Sequence, residues 1–304
     1  MTDQAATTTL GKPQRSLWGD VLRQFLKHKG GVAGLVIFSF ILFAVLFGPY
    51  IHTIDPQYLD IRNKNLGPTW KHPMGTDNLG RDGLAQVLSG GRVSLAVGIA
   101  AMALSLLLGT LIGILAGFFR KLDGPLMRTT DLFLALPILP LLLVIILLFR
   151  DTLRSAFGPE MGIFLLIVFV IGITSWMNTA RIVRGEVLAV KEREFVLAAR
   201  SIGTGSTKTI LRHIFPNVLS PVMVSATLGI ATAIITESAL SFLGLGFPSD
   251  FPTWGRLLYD GANFMTLNPA RVIWPGLAIS LTVLSVNYIG DGIRDALDPR
   301  IRGR

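Results

Sequence analysis

The sequence predicts an all-α, polytopic membrane protein with six transmembrane helices, and three observations carry that prediction. The chain of 304 residues is 51% hydrophobic and only 15% charged, with a mean hydropathy of +0.57, whereas soluble domains carry roughly 25% charged residues. The remaining charges are segregated: the runs 32–50, 93–119, 132–149, 161–180, 214–236 and 272–290 contain none. A helix rises about 1.5 Å per residue and the hydrocarbon core is about 30 Å thick, so each run is long enough to cross. A charge at a helix centre costs roughly 2.5–3.5 kcal/mol on insertion scales, and six clean runs are not what a soluble core produces. Finally, with the N-terminus inside, 19 of the 28 Lys and Arg residues fall in inner segments and 9 in outer ones. That positive-inside bias places both termini in the cytoplasm. The net charge of +9 is therefore read as topology, and no nucleic-acid partner is expected.

These spans divide the chain into an inner tail with an amphipathic helix (1–30), a first transmembrane helix (31–51) and an external segment (52–92). A core transmembrane domain (93–293) follows, with an inner loop at 181–213, and then an inner tail (294–304). Residues 1–16 are polar and Thr-rich and are expected to be disordered. Leu17, Trp18, Val21, Leu22, Phe25 and Leu26 recur at helical spacing among Arg23, Lys27 and Lys29. They predict a short amphipathic helix, lying on the inner membrane surface or packed on a neighbouring subunit. The first apolar run is too long for a cleavable signal and is expected to stay as a signal-anchor.

In the external segment, Pro73, Gly75 and Asp77 carry turn chemistry, and Asp82 can cap a short helix through Leu84, Val87 and Leu88. A structured external lip explains these residues better than a catalytic pair of acids. Span two carries Ala101, Ser105, Gly109, Gly113 and Gly117 at four-residue spacing. Small residues let helix backbones approach closely in lipid, so this stripe predicts packing rather than chemistry. Span three contains Pro137 and Pro140, each expected to kink it. Kinked helices line a cavity or are accommodated by their neighbours, and both readings stay open. A long outer loop is expected at 150–160. Span five leads from Pro216 to Glu237, an acid near the end of a span, which either faces a polar pathway or gate or reaches the outer headgroups. Gly244, Gly246, Pro248, Pro252 and Trp254 predict an irregular outer loop. Asp291, Arg294, Asp295, Asp298 and Arg300 suit an interfacial helix end inside.

There are no cysteines, which removes disulfides, thiolate catalysis and Cys-based metal sites. His28, His52, His72 and His213 sit in separate segments, so no metal cluster is expected.

The inner loop is the most informative part. Residues 192–201 are good helix formers, and Gly203 can supply the left-handed turn that ends a helix. Ser206 or Thr207 can cap a second helix running through Ile210 and Leu211 toward Pro216, giving a helix-turn-helix along the membrane face. Ala198 and Ala199 present little bulk, so another protein's groove can close on that surface. This pattern, with the sequence Glu194-Phe-Val-Leu-Ala-Ala-Arg-Ser-Ile-Gly203 and then Ile214-Phe-Pro-Asn217, resembles the "EAA" loop of ABC-transporter permeases. His72-Pro-Met-Gly-Thr-Asp77, Gly80-Arg-Asp82, Glu237-Ser-Ala-Leu-Ser-Phe-Leu-Gly-Leu-Gly246, Pro275-Gly-Leu-Ala-Ile279 and Gly290-Asp-Gly-Ile-Arg-Asp-Ala-Leu-Asp-Pro299 resemble the shorter, C-type permease of the dipeptide/oligopeptide/nickel subgroup over residues 17 to 300.

The resemblance implies a six-span core related to the methionine-permease fold. It also implies a second permease subunit, expected to be a different chain, two ATP-binding subunits and an external substrate-binding protein. Glu194, Ala198, Ala199, Arg200 and Gly203 would form the ATPase-coupling surface, and Pro137, Pro140 and Glu237 would line the path. No catalytic residue, cofactor or metal is expected in this chain. Leu197 stands where the family often has Glu, so a salt bridge from that position is not carried over. Gly203-Thr-Gly-Ser-Thr-Lys-Thr209 is superficially similar to a phosphate loop, but Thr207 replaces the Gly before Lys208 and no strand leads into it. Asp260 and Asp291 fall on opposite sides and cannot form an intramembrane aspartyl protease dyad. The alternative is a secondary transporter or channel-like protein, which would need charged or broken helices near the midplane. A structural scaffold ranks third, supported only by the tandem glycines.

Overall fold

The computed structural model describes residues 17–249 and 251–297. The expectations for residues 1–16, for the side chains of Leu17 and Trp18, and for Asp298, Pro299, Arg300 and Arg302 lie outside the described residues. In chain order the helices are α1 (Leu17–Lys27), α2 (Lys29–Ile51), α3 (Gly83–Phe118), α4 (Arg120–Ala135), α5 (Ile138–Phe157) and α6 (Pro159–Val190). Next come α7 (Glu194–Ser201), α8 (Ser206–Thr209), a π-helical turn (Ile210–Ile214) and α9 (Phe215–Phe242), followed by α10 (Trp254–Ala262) and α11 (Ala270–Leu297). Among the described residues, five helices are long and apolar enough to cross a membrane, and the bent pair α4–α5 makes a sixth when taken as one broken span.

The glycine stripe of α3 sets the centre of the bundle. A Cβ at Gly109, Gly113 or Gly117 would lie 2.7 Å from Thr179, Ala180, Val183 or Val187 of α6 or their backbone. These positions allow α3 and α6 to pack nearly backbone to backbone, as small-residue stripes do in lipid. Around the outer half of that seam, Val97, Leu142, Ile146, Ile163, Ile167, Val170 and Leu240 form a continuous buried cluster from α3, α5, α6 and α9. Ile114, Val183, Val187, Ile214 and Val218 form its inner counterpart. α2 and α11 pack together on the far side of α9. α1 takes the predicted helical form, and the neighbour it meets is its own α11: Phe25 wedges against Gly31 and Gly292, while Leu22 and Leu26 stay exposed.

Four expectations are corrected. Span three is not one kinked helix over 132–149. Leu136 is extended, the chain turns by 88° there, and α4 is ion-paired to α6 through Asp123–Arg184 and Asp131–Arg181. A residue before proline is disfavoured from the helical region, so Pro137 ends α4. Pro140 occupies the first turn of α5, where an N–H has no intrahelical partner to lose, so it kinks nothing. The second correction concerns 150–160, which is not a loop. α5 continues to Phe157, Gly158 at φ +85° reverses the chain, and Pro159 starts α6. The third lies in the external segment, where Asp82 does cap a helix, through its carboxylate and the Ala85 N–H at 2.7 Å. That helix is span two itself, running unbroken to Phe118. In the outer loop after span five, residues 254–262 form the short helix α10 rather than irregular chain.

Pro49, Pro221 and Pro275 sit within spans, and the first shows how a freed carbonyl is satisfied. Pro49 in α2 has no N–H to give the Val45 carbonyl, and the Arg92 guanidinium of α3 reaches over to donate to the Val45 and Leu46 carbonyls at 3.0 and 2.7 Å. A carbonyl freed by proline needs such a partner in lipid.

Candidate functional site

α6 ends at Val190, where Lys191 donates to the Gly117 carbonyl at 2.9 Å and ties the turn to the inner end of α3. The eight-residue helix α7 then starts at Glu194 and stops at Ser201. Gly203 adopts φ +83°, the left-handed conformation expected from its position. The Gly203 N–H donates to the Arg200 carbonyl at 2.9 Å and the Thr204 N–H to the Ala199 carbonyl at 3.1 Å. This pair of bonds is a Schellman stop, which satisfies carbonyls that would otherwise be orphaned.

The second expected helix is not a separate element along the membrane face. Gly205 takes the N-cap position, Ser206 and Thr207 are already helical, and α8 runs through the π turn into α9 as one 37-residue helix. The π turn has a local cause: Pro216 has no N–H to give, and the Phe215 N–H bonds to the Ile210 carbonyl five residues back.

The face of α7 divides sharply. Glu194, Leu197, Ala198, Ser201 and Ile202 lie at i, i+3, i+4, i+7 and i+8, and all five are exposed, Ile202 to 84%. Val196 is buried, and so is Ala199 at 7%. The two alanines thus have different environments: Ala198 belongs to the outward surface, and Ala199 faces its own chain. Arg200 is exposed, and its guanidinium carbon lies 4.8 Å from the centroid of the Phe118 ring. Leu197 makes the outward stripe apolar at its centre. A stripe of one carboxylate, two branched aliphatic groups and two small residues can enter an apolar groove with a polar rim; it holds no chemistry.

Beside α7, an open cleft of about 1400 Å³ runs between α6, α9 and α11, with Glu186, Glu194, Asn217, Ser220, Ser225 and Arg294 among its walls. Sequence reading missed the α9 wall. Asn217, Pro221, Val224 and Leu228 repeat at helical spacing on the surface it presents to the cleft, but their mixed polarity hides the stripe.

The residues expected along the path separate. Pro137 and Pro140 are exposed around the α4–α5 corner. Glu237 is 0% exposed and neither opens on a cavity nor reaches the headgroups. The Ser94 hydroxyl of α3 donates to its Oε2 at 3.1 Å and the Ser241 hydroxyl to its Oε1 at 2.7 Å. Ser94 Oγ also accepts from the Trp254 N–H at 3.2 Å, and Thr253, the N-cap of α10, donates to Ser241 Oγ at 3.4 Å. Glu237 is thus the centre of a hydroxyl cluster joining α3, α9 and the start of α10. Among the histidines, His52 and His72 come together on the two oxygens of Asp82, at 2.8 and 2.7 Å. Their separation of twenty residues in sequence had concealed this.

Residues 109–303 match the family described as binding-protein-dependent transport system inner membrane component. Residues 16–68 match the N-terminal transmembrane domain of oligopeptide transport permease C. The chain is 37% identical over 294 residues to the oligopeptide transport system permease protein OppC of Bacillus subtilis (strain 168), covering 96% of this chain and 93% of the relative. It is 36% identical over 288 residues to the dipeptide transport system permease protein DppC of Alkalihalophilus pseudofirmus, covering 94% and 91%. To OppC of Haemophilus influenzae it is 39% identical over 291 residues, covering 95% and 90%. With two thirds of its spans inside the matched region and relatives aligned end to end, the chain belongs to the binding-protein-dependent transport system inner membrane component family, the permease subunits of ABC importers.

Proposed function

We propose that this permease subunit forms half of an import path for peptides across the bacterial cytoplasmic membrane, and that the outward stripe of α7 is where an ATP-binding subunit grips it. The cargo class follows the names of its relatives, which belong to oligopeptide and dipeptide systems. The observation that carries the coupling assignment is mechanical. The Schellman stop at Gly203 fixes the turn that leads from α7 into the next helix, and that helix is one rod of 37 residues. At about 1.5 Å per residue that rod is roughly 55 Å long. It reaches from the coupling surface to Glu237, where the hydroxyl cluster joins it to α3 and α10. A push on Glu194, Leu197, Ala198, Arg200 and the Gly203 turn therefore moves the inner cleft and the outer end together. Hinge and shear motions of this kind use rigid elements and short joints.

In this reading the second permease, expected to be a different chain, completes the path. Pro137, Pro140 and the α9 stripe of Asn217, Pro221, Val224 and Leu228 face it, and Glu237 holds the outer frame from behind. Two ATPase subunits hydrolyse ATP on the inner side, and an external binding protein delivers the peptide. Both termini lie inside, from the 19:9 distribution of Lys and Arg.

The test is peptide uptake and peptide-stimulated ATP hydrolysis by the complex in proteoliposomes, with impermeant thiol labelling of Thr204→Cys and Ser249→Cys in the cysteine-free chain. Ser249→Cys labels from outside and Thr204→Cys only from inside. Reversed labelling would overturn the orientation. Uptake that needs no ATPase would return the secondary-transporter reading.

A further inference from the structure

We propose that the external turn bearing Trp70 is an interfacial anchor, seated in the outer lipid headgroup layer beside the end of the first span. Trp70 is fully exposed, on a turn closed by the Thr69 N–H to the His72 carbonyl at 2.9 Å and the His72 N–H to Thr69 Oγ1 at 3.0 Å. An indole has a large apolar body and one N–H donor, a shape that water serves poorly and that the bilayer interface serves well.

The turn is also fixed in place. The buried His72 ring bonds through Nδ1 to Asp82 Oδ2, and Asp82 Oδ1 meets His52 Nε2. His52 is the C-cap of α2 and follows the exposed Tyr50 and Ile51. One carboxylate thereby starts α3, closes α2 and pins the Trp70 turn to the point where the first span leaves the bilayer. The exposed stripe of α2, with Phe40, Phe43, Phe47 and Tyr50, leads up to that point along a helix long and apolar enough to cross a membrane.

Charge favours the same partner. Tyr58, Leu59 and Ile61 are exposed on the same segment, and Arg62, Lys64 and Lys71 are exposed among them. The acids there are Asp55, which accepts from the Gln57 N–H at 2.8 Å, and Asp60, which accepts from the Asn63 amide at 2.8 Å, so the three cations outnumber them by one. Aromatic and aliphatic side chains beside long cations suit a surface of phosphodiester headgroups, where the cationic heads reach phosphate while their stems lie on apolar surface. A binding-protein footprint would call for no continuity with the exposed aromatic stripe of a membrane-spanning helix, which is why lipid is the occupant argued here.

The chain has no cysteine, so Trp70→Cys, labelled with bimane, reports on this turn alone. The complex is placed in nanodiscs of phosphatidylethanolamine and phosphatidylglycerol containing a headgroup spin-labelled lipid, with Ser249→Cys as the external reference. Quenching by the spin-labelled lipid should be several-fold stronger at 70 than at 249, with little iodide quenching, and unchanged by saturating binding protein. Lys71→Cys serves as a second reporter and should give the same pattern if the first variant assembles poorly. Free iodide access without lipid quenching overturns the proposal. So does protection that appears only with the binding protein, or shielding from both quenchers, which would mean burial against the second permease. None of these readouts involves the ATPases, so the anchor and the coupling surface stand or fall separately.

Discussion

Replacing Gly203 with valine tests the coupling assignment at a single backbone angle. Nothing lies within 4 Å of the place a Cβ would take there, so the side chain itself meets no obstacle and the effect is conformational. Holding an L-residue in the left-handed region costs roughly 1–2 kcal/mol, with a β-branched residue at the upper end. That energy corresponds to about a 5–30-fold loss in the population of the native turn. The two bonds that depend on the turn, Gly203 N–H to Arg200 and Thr204 N–H to Ala199, are lost together when it opens, and α7 is then free to rotate against α8. Asparagine tolerates the left-handed region better than other non-glycine residues. The expected order of coupling is therefore Gly, then Asn, then Ala, with Val lowest. The assay is retention of the ATPase subunits on the tagged permease, together with peptide-stimulated hydrolysis in proteoliposomes. Membrane insertion and detergent stability should not change, because the six spans pack elsewhere. If Gly203→Val assembled and transported like the parent, the coupling role of this turn would be wrong. Equal defects in Asn and Val would refute the backbone argument specifically.

Ala198→Trp should leave thermal stability unchanged but weaken ATPase retention, since Ala198 is outward. Ala199→Trp should instead lower the unfolding temperature, because that side chain is 7% exposed and faces its own chain; identical effects would dissolve the distinction. Glu237→Ala strands the hydroxyls of Ser94 and Ser241, at about 1–3 kcal/mol for the unpaired polar groups, and opens a cavity besides. Glu237→Gln keeps the shape and acceptor oxygen and should remain close to the parent in a thermal-unfolding series on the purified protein, a pattern that a merely surface acid would not produce. Arg92→Met should destabilise the protein by about 1–3 kcal/mol by leaving the Val45 carbonyl unpaired. Pro49→Ala in the same chain should recover part of that loss, by restoring a helical N–H for that carbonyl, and strict additivity of the two changes would argue against the link.

What the sequence determined by itself rests on local or periodic physics. The apolar runs follow from bilayer thickness, the α3 stripe from four-residue spacing of small side chains, and the turn at Gly203 from the steric freedom of one residue. Each is legible because neighbours in sequence are also neighbours in space. The tertiary structure alone decided the rest. Pro137 and Pro140 read as kinks within one span, whereas the structure stops α4 at the residue before Pro137 and turns the chain by 88°, with ion pairs joining α4 to α6. Ala198 and Ala199 are adjacent letters, and which of them faces outward depends on how α7 leans on the bundle. Glu237 looked like a solitary acid because Ser94, 143 residues earlier, and Thr253 beyond the outer loop are invisible to a local reading. His52 and His72 likewise meet only because Asp82 begins one span where another has just ended. A buried polar group takes its meaning from partners that satisfy it, and those partners are assembled by the fold across distances that no sequence window spans.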